Sequence, residues 1–445
     1  MFYISLILSK VYYFFTKHGK VTDKSGLLAL KIDNLFLKHV TKPKTVIAVT
    51  GTNGKTTTCN FLVDLLEYNG YKVTSNREGA NLRPGIAKAL MKSVTLFNKS
   101  KVDVAVIEFD ELSSDIILPY IKPKYLIVTN LFRDTMCRNA HTDYVFDKIS
   151  KGLLKETTLI LNADDLISSK LDNKGKKIYF GIDKLKTDKK KSDSLVQDIK
   201  ICPNCHEKLK YDFVRYHHIG KAHCEKCGFT NPKANYLLTC IDYKNSLITV
   251  NNQKYKLVNE GIFNIYNELV AIALLNEMKV KNINEGLESL EIVKTRYSKK
   301  EINGIEIITQ FAKGQNSIAT SRSFDYVAKL DGNKEVILII DDQHENLSHN
   351  TSEIVSWIYD TDFEYLKDES IKRIIVGGVR CYDYKVRLLM AGIDSKKLYF
   401  EEDELDTYKH LSLKNTDKIV IVHDLYTVDI CNKLLSKIED VIKWK

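Results

Sequence analysis

Two short runs carry residue types at spacings suited to chemistry. The first is Gly51-Thr52-Asn53-Gly54-Lys55-Thr56-Thr57-Thr58, which follows an apolar run over 46–50. A glycine-rich turn between a strand and a helix presents free N–H groups, and the positive end of the helix dipole, to phosphate oxygens. Lys55 would reach the terminal phosphates of a nucleotide, and the Thr56 hydroxyl would ligate Mg²⁺. The commonest phosphate loop places a glycine five residues before Gly54; here that position is Val49. The run is therefore the shorter Gly-Thr-Asn-Gly-Lys-Thr variant. The second run pairs Cys202 and Cys205 with Cys224 and Cys227, two Cys-x-x-Cys knuckles a short span apart. Four thiolates close a tetrahedral coordination sphere, so this spacing points to a structural Cys₄ zinc ribbon rather than a catalytic metal. His206, His217, His218 and His223 lie nearby, leaving a histidine ligand in place of one cysteine as an alternative, and iron in place of zinc is open.

The surrounding pattern supplies elements to hold both runs. Apolar, β-rich stretches at 46–50, 104–109, 126–129 and 158–162 predict buried strands of a parallel sheet. Helical patterns at 56–68 and 144–154 lie between them. A second alternating series predicts strands at 305–309, 336–340, 374–376 and 419–422, with helices near 317–329, 382–390 and 426–438. Two α/β domains follow, with a polar, cysteine-bearing insert over about 184–235. The predicted organisation is an N-terminal helical segment over 1–40, a central nucleotide-binding domain over 41–297 interrupted by the ribbon at 198–233, and a Rossmann-like α/β domain over 298–445.

With 44% hydrophobic and 28% charged residues, the composition excludes a largely disordered chain, a collagen-like fibre and a polytopic membrane protein. The 445 residues allow about three domains. Lys+Arg of 67 against Asp+Glu of 57 gives a net +10, which favours an acidic partner such as a nucleotide, an anionic lipid surface or nucleic acid. Part of the excess is a lysine-rich run from Lys184 to Lys191, read as a solvated loop. Nine cysteines and no secretory pattern suit a reducing cytoplasm, where thiols serve metals or cores. Cys59, Cys137, Cys240, Cys381 and Cys431 are scattered and read as core thiols. Residues 1–20 are apolar and aromatic but too short to span a bilayer. They predict a helix packed on its own domain, with a membrane-surface helix as the alternative, because Lys10 and Lys17 suit the headgroup boundary.

The phosphate-loop variant resembles that of the Mur ligase and folylpolyglutamate synthetase superfamily, ATP-dependent enzymes that activate a carboxylate as an acyl phosphate and join it to an amine. Glu108, in Val106-Ile107-Glu108-Phe109-Asp110-Glu111, matches the superfamily's Mg²⁺-holding acid at a strand end. Further stretches resemble the MurT family, the synthase subunits of lipid II isoglutaminyl synthases. They are Gly79-Ala80-Asn81-Leu82, 129–134, 162–165, 261–267, Val355 to Glu364 with its Ser-Trp-Ile-Tyr-Asp core, and Arg380-Cys381-Tyr382-Asp383. The resemblance implies a Mur-ligase-like central domain with the zinc-ribbon insertion and a C-terminal α/β domain. It implies ATP, Mg²⁺ and structural Zn²⁺, and amidation of the α-carboxylate of D-glutamate in the lipid II stem peptide to D-isoglutamine. Ammonia would come from a class I glutamine amidotransferase-like partner (GatD) in a heterodimer. Asn267 resembles the family's adenine-side asparagine and Arg296 its hinge arginine. Asp360, with Asp362 second, matches the aspartate that completes the partner's Cys-His pair. No cysteine here sits in a Gly-x-Cys-x-Gly elbow, which agrees with a separate glutaminase. About 40 residues precede the loop, where relatives acting on soluble UDP-sugars carry a further domain. A lipid-linked substrate at the inner face of the membrane fits better.

Departures from the family pattern fall at Cys137, over 341–355 and over 422–427. The alternatives are a folylpolyglutamate synthetase or Mur-type amino-acid ligase, a zinc-ribbon nucleic-acid-binding NTPase, and a non-catalytic scaffold for the amidotransferase. The sequence favours no nucleic-acid partner.

Overall fold

A computed structural model describes residues 1–16, 23–77, 80–133, 141–290, 297–340 and 355–444. They form two compact units. The first comprises Met1–Phe132, His141–Asp193 and Gln197–Ile292, and the second Arg133–Ala140, Ser194–Val196 and Val293–Lys445.

The first unit is built on β1 (Thr45–Thr50), β2 (Val73–Ser75), β3 (Val104–Glu108), β4 (Tyr125–Val128), β5 (Thr158–Asn162), β6 (Lys177–Ile182), β7 (Lys210–Tyr216), β8 (Ile219–His223), β9 (Tyr236–Asp242), β10 (Leu247–Val250) and β11 (Gln253–Lys256). Nine of these make one sheet in the order β11-β10-β9-β6-β5-β4-β1-β3-β2. From β2 across to β9 all neighbours are parallel, and β10 and β11 return antiparallel at the edge. Strands β3 and β4 are buried along their whole length. That is why they read as unbroken apolar runs rather than as alternation. The pair β7–β8 is a separate antiparallel hairpin inserted between β6 and β9. Since β6 and β9 are themselves neighbours in the sheet, the insertion leaves the ladder intact.

Helices α1 (Phe2–Thr16), α2 (Lys24–Ile32), α3 (Phe36–His39), α4 (Lys55–Tyr68), α5 (Arg83–Lys92), α6 (Ser114–Ile121), α7 (Thr142–Gly152), α8 (Ile262–Glu277) and α9 (Ile283–Ser289) complete this unit. Leu6, Ala29, Phe36 and Leu37 from the first three join Ile86 and Leu90 of α5 in one core. Helix α8 is buried without a break from Ile265 to Leu275, with Asn267 and Glu268 among the buried residues.

The second unit carries β12 (Tyr297–Ile302), β13 (Ile305–Phe311), β14 (Lys334–Ile339), β15 (Ile371–Gly377), β16 (Leu398–Glu401) and β17 (Lys418–His423), with α10 (Ser317–Lys329), α11 (Cys381–Met390) and α12 (Val428–Lys443). Its sheet runs β12-β13-β17-β14-β15-β16. Only β12, paired with β13, is antiparallel. Phe324 of α10 and Tyr384 and Leu388 of α11 pack in one core cluster with Trp357. Cys431, Leu434, Ile438 and Ile442 of α12 fill another. Helices on both faces of a parallel sheet make this a doubly wound α/β unit.

Cys59, Cys381 and Cys431 are buried, as expected of core thiols, but Cys240 lies exposed on β9. The edge position of β9 to β11 leaves part of that strand facing solvent. Cys137 lies outside the described residues.

Candidate functional site

The loop between β1 and α4 is held open by its backbone. Gly51 and Gly54 have φ of 126° and 88°, conformations that favour glycine. A Cβ at Gly51 would meet Thr129 Oγ1 at 2.3 Å, and one at Gly54 would meet Asn267 Oδ1 at 2.2 Å. Both glycines are therefore fixed by close approach as well as by φ. The loop is laced to the end of β4. Asn53 N donates to Asn130 Oδ1 at 3.0 Å, while Thr129 Oγ1 and Asn130 Nδ2 donate to Asn53 O at 2.6 and 3.1 Å. Thr52 N donates to Asn130 O, and its buried hydroxyl exchanges hydrogen bonds with Phe132.

Lys55 and Thr56 open α4. The Lys55 ammonium donates to Gly51 O at 2.5 Å and to Glu111 Oε2 at 3.0 Å. The Thr56 hydroxyl donates to Glu108 Oε1 at 3.1 Å. Thr57 stands half-buried on the same first turn. Glu108 ends β3, and the parallel register sets it level with Val49 of β1. Its backbone is bracketed by Asn76, whose Oδ1 accepts from Glu108 N at 2.9 Å and whose Nδ2 donates to Glu108 O at 2.7 Å. A hydroxyl and a carboxylate in contact at the head of a phosphate loop are hard oxygen donors that fit Mg²⁺.

Asn267, on α8, reaches the same loop. Besides its approach to Gly54, its Oδ1 accepts from Thr58 Oγ1 at 3.4 Å. Beside it, Glu268 is fully buried; Oε2 accepts from Val258 N at 3.0 Å, while Oε1 is buried without a hydrogen-bond partner. Burial pushes this carboxyl up to about 8. Arg296 lies outside the described residues.

Cys202, Cys205, Cys224 and Cys227 converge, with their sulfur atoms within 4.8 Å of one another. A tetrahedral zinc with bonds of about 2.3 Å separates its sulfurs by roughly 3.8 Å, so the cluster fits a structural metal. Three of the four nearby histidines are engaged elsewhere: His218 Nε2 meets Asp165 at 3.1 Å, His223 meets Asp212 at 2.9 Å, and His217 packs edge-on against Phe132. Asp164 and Asp165, which follow β5, turn to the ribbon. Arg215 on β7 reaches Asp164 at 3.0 Å, Asp188 at 2.8 Å and the Tyr266 hydroxyl. This clasp has no local motif, and the sequence gives no signal of it.

In the second unit, Asp360 ends a 3-10 turn over Ser356–Asp360. Its carboxylate is 24% exposed and pairs with Arg133 at 3.2 Å. Asp362 is buried, accepting from Leu195 N at 2.7 Å, and burial raises its pKa. Arg387 of α11 grips the turn. Its guanidinium donates to Ile358 O at 3.1 Å and Thr361 O at 2.8 Å, and meets both Glu364 oxygens.

Residues 49–275 match the model of the Mur ligase middle domain, and residues 314–428 that of the MurT ligase C-terminal domain. The chain is 32% identical over 381 residues to the lipid II isoglutaminyl synthase (glutamine-hydrolyzing) subunit MurT of Staphylococcus aureus (strain COL), covering 84% of each chain. It is 30% identical over 391 residues to the subunit of the same name from Streptococcus pneumoniae (strain ATCC BAA-255 / R6), covering 85% of this chain and 84% of that one. Among solved structures, a pseudomurein peptide ligase type C from Methanothermus fervidus superposes with a TM-score of 0.67 at 23% identity, over 90% of this chain and 80% of that one. MurF ligase from Thermotoga maritima, solved in complex with ADP, gives 0.57 at 15% identity, over 95% and 83%. These superpositions establish the fold.

Proposed function

The chain belongs to the Mur ligase family, in its MurT group, and from that premise we propose that it is the synthase subunit that amidates lipid II. The substrate is the α-carboxylate of D-glutamate in the stem peptide, and the product is D-isoglutamine. The observation that carries the ATP half of this reading is the contact of Thr56 with Glu108 beside Lys55 at the loop–helix junction.

A carboxylate oxygen attacks the γ-phosphorus of ATP, the bond to the β–γ bridging oxygen breaks, and ADP leaves. Lys55 and the N–H groups at the start of α4 stabilise the charge that shifts between phosphate oxygens. Gly51, Thr52, Asn53, Gly54 and Thr57 shape the cradle, and Asn267 and Arg296 bind the nucleotide. Thr56 and Glu108 would hold Mg²⁺, which supplies charge neutralisation at the phosphates. Ammonia then attacks the acyl carbon, phosphate departs with its bonding electrons, and nitrogen gives up a proton to solvent. The ammonia comes from a class I glutamine amidotransferase-like partner in a heterodimer. Asp360, partly exposed where Asp362 is buried, completes that partner's Cys-His pair. Cys202, Cys205, Cys224 and Cys227 hold zinc as a fold staple. The lipid-linked substrate places the pair at the inner face of the cell membrane.

The test bypasses the partner. The purified chain is given lipid II, ATP, Mg²⁺ and an ammonium salt, and mass spectrometry follows carboxylate turning to carboxamide. Amidation with matching ADP release is expected. ADP release without amidation, also in the presence of the partner, would assign a different acceptor.

A further inference from the structure

Helix α1 buries a narrow stripe of Ser5, Leu6 and Ser9 and turns most of its large apolar side chains outward. The Ser5 hydroxyl donates to Ala29 O at 2.8 Å. On the other side, at about 100° per residue, positions 3, 4, 7, 8, 11 and 15 share one arc. They are Tyr3, Ile4, Ile7, Leu8, Val11 and Phe15, exposed from 44% at Ile7 to 78% at Phe15. A contiguous apolar face of this kind marks an interaction surface.

A second apolar element lies beside it. The turn after α5 exposes Leu96 and Phe97, at 53% and 81%. It is tied to α1 by the Lys10 ammonium, which donates to Met91 O and Val94 O at 2.7 Å each. The Lys92 ammonium lies 5.5 Å from the Tyr13 ring centroid. Charge gives the surface its sign. Stretches 1–16 and 83–102 contain no Asp or Glu; Lys92, Lys99 and Lys101 are exposed there, while Lys88 pairs with Asp23.

Exposed aliphatic and aromatic side chains with lysines beside them at Lys92, Lys99 and Lys101 suit the headgroup boundary of an anionic bilayer. A second copy of this chain on the same face would set like charges against each other. Among the described residues, no helix is long and apolar enough to cross a membrane. The 15 residues of α1 span roughly 22 Å, short of a hydrocarbon core of about 30 Å, so the helix lies along a surface.

We propose that the outer face of α1, together with Leu96 and Phe97, docks the first unit onto the anionic surface of a lipid bilayer. The inference deepens the lipid II reading and rests on it for its purpose: the surface brings the enzyme to a substrate that cannot leave the membrane.

Co-sedimentation of the full chain with vesicles tests it. Wild type is expected to pellet with phosphatidylglycerol–phosphatidylcholine vesicles, far less with phosphatidylcholine alone, and to be released as salt rises. The double variant Ile7→Glu/Phe15→Glu, and separately Phe97→Asp, should lower the bound fraction by about tenfold while melting like wild type and still amidating detergent-solubilised lipid II. The proposal is overturned if the double variant pellets like wild type, or if wild type stays in the supernatant. Light scattering that shows the variant splitting a dimer would overturn it too, giving the face to a second copy. Vesicle binding by a wild type that fails to amidate solubilised lipid II would support the surface and remove the enzymatic reading alone.

Discussion

The ammonium of Lys55 sits 3.0 Å from the carboxylate of Glu111, and both groups are largely withdrawn from solvent, at 11% and 2% exposure. Removing one member of a buried pair strands the other, which costs about 3–5 kcal/mol. Lys55→Met should therefore lose ATP turnover and melt earlier. The double variant Lys55→Met/Glu111→Gln should recover much of the melting temperature and none of the turnover. Calorimetry with an ADP-release assay separates the two effects. If the double variant melts no higher than the single one, Glu111 is not held by Lys55.

Asp360 and Arg387 give a prediction that splits the two half-reactions. Arg387 holds the carbonyls of Ile358 and Thr361 on either side of Asp360, so it sets where that carboxylate stands. In the presence of the partner subunit, Asp360→Asn should cut glutamine-dependent amidation by about 10²-fold or more, the scale of losing the orienting acid of a catalytic triad. Ammonium-dependent amidation should persist. Arg387→Lys, which keeps the charge but not the forked geometry, should give a weaker form of the same split. Equal losses with glutamine and with ammonium would place Asp360 outside the glutaminase.

The ribbon is held to its sheet by charge. Arg215 is buried against Asp164 and Asp188, and Arg215→Ala would leave two carboxylates facing each other in a dry site. A loss of roughly 3–5 kcal/mol is expected, with zinc content unchanged because the four cysteines are untouched. Cys205→Ser should do the reverse, lowering zinc while leaving the clasp in place. Native mass spectrometry and melting curves on both variants distinguish them. Zinc lost from the Arg215 variant would show that the clasp and the metal site are one unit.

How legible this was from sequence depended on distance along the chain. Helix α10 begins and ends at the predicted residues, and β1, β3, β4 and β5 fall within a residue of theirs. A strand buried on both faces spells itself as a continuous apolar run. The phosphate loop and the cysteine quartet are likewise local patterns. Strand β2 is three residues long, with the polar Thr74 at its centre, and the edge strands β9 to β11 mix exposed and buried positions. Neither offers a periodicity to read. The contacts of Lys55 with Glu111 and of Arg215 with Asp164 join residues 56 and 51 apart. Strand pairing brings Lys55 and Glu111 together, and the packing of the inserted hairpin brings Arg215 to Asp164. Glu268 was hidden differently, as an acid in the middle of helix α8 whose burial only packing reveals.

Glu268 should make stability fall with rising pH. Its folded-state pKa, near 8, lies above the ordinary 4.5 because burial disfavours the charged form. Below about 4.5 both the folded and the unfolded chain carry the proton, and the group costs nothing. Between about 4.5 and about 8 the unfolded chain ionises while the folded one does not. Each pH unit in that window therefore removes ~1.4 kcal/mol. Above about 8 both states are ionised and the loss levels off. Glu268→Gln keeps an acceptor for Val258 N and cannot ionise, so it should melt like wild type at the acid end and increasingly above it toward pH 8, by a few kcal/mol at most. Melting curves of both proteins across that range are the check. A gap that stays constant with pH would mean that Glu268 is charged in the folded chain.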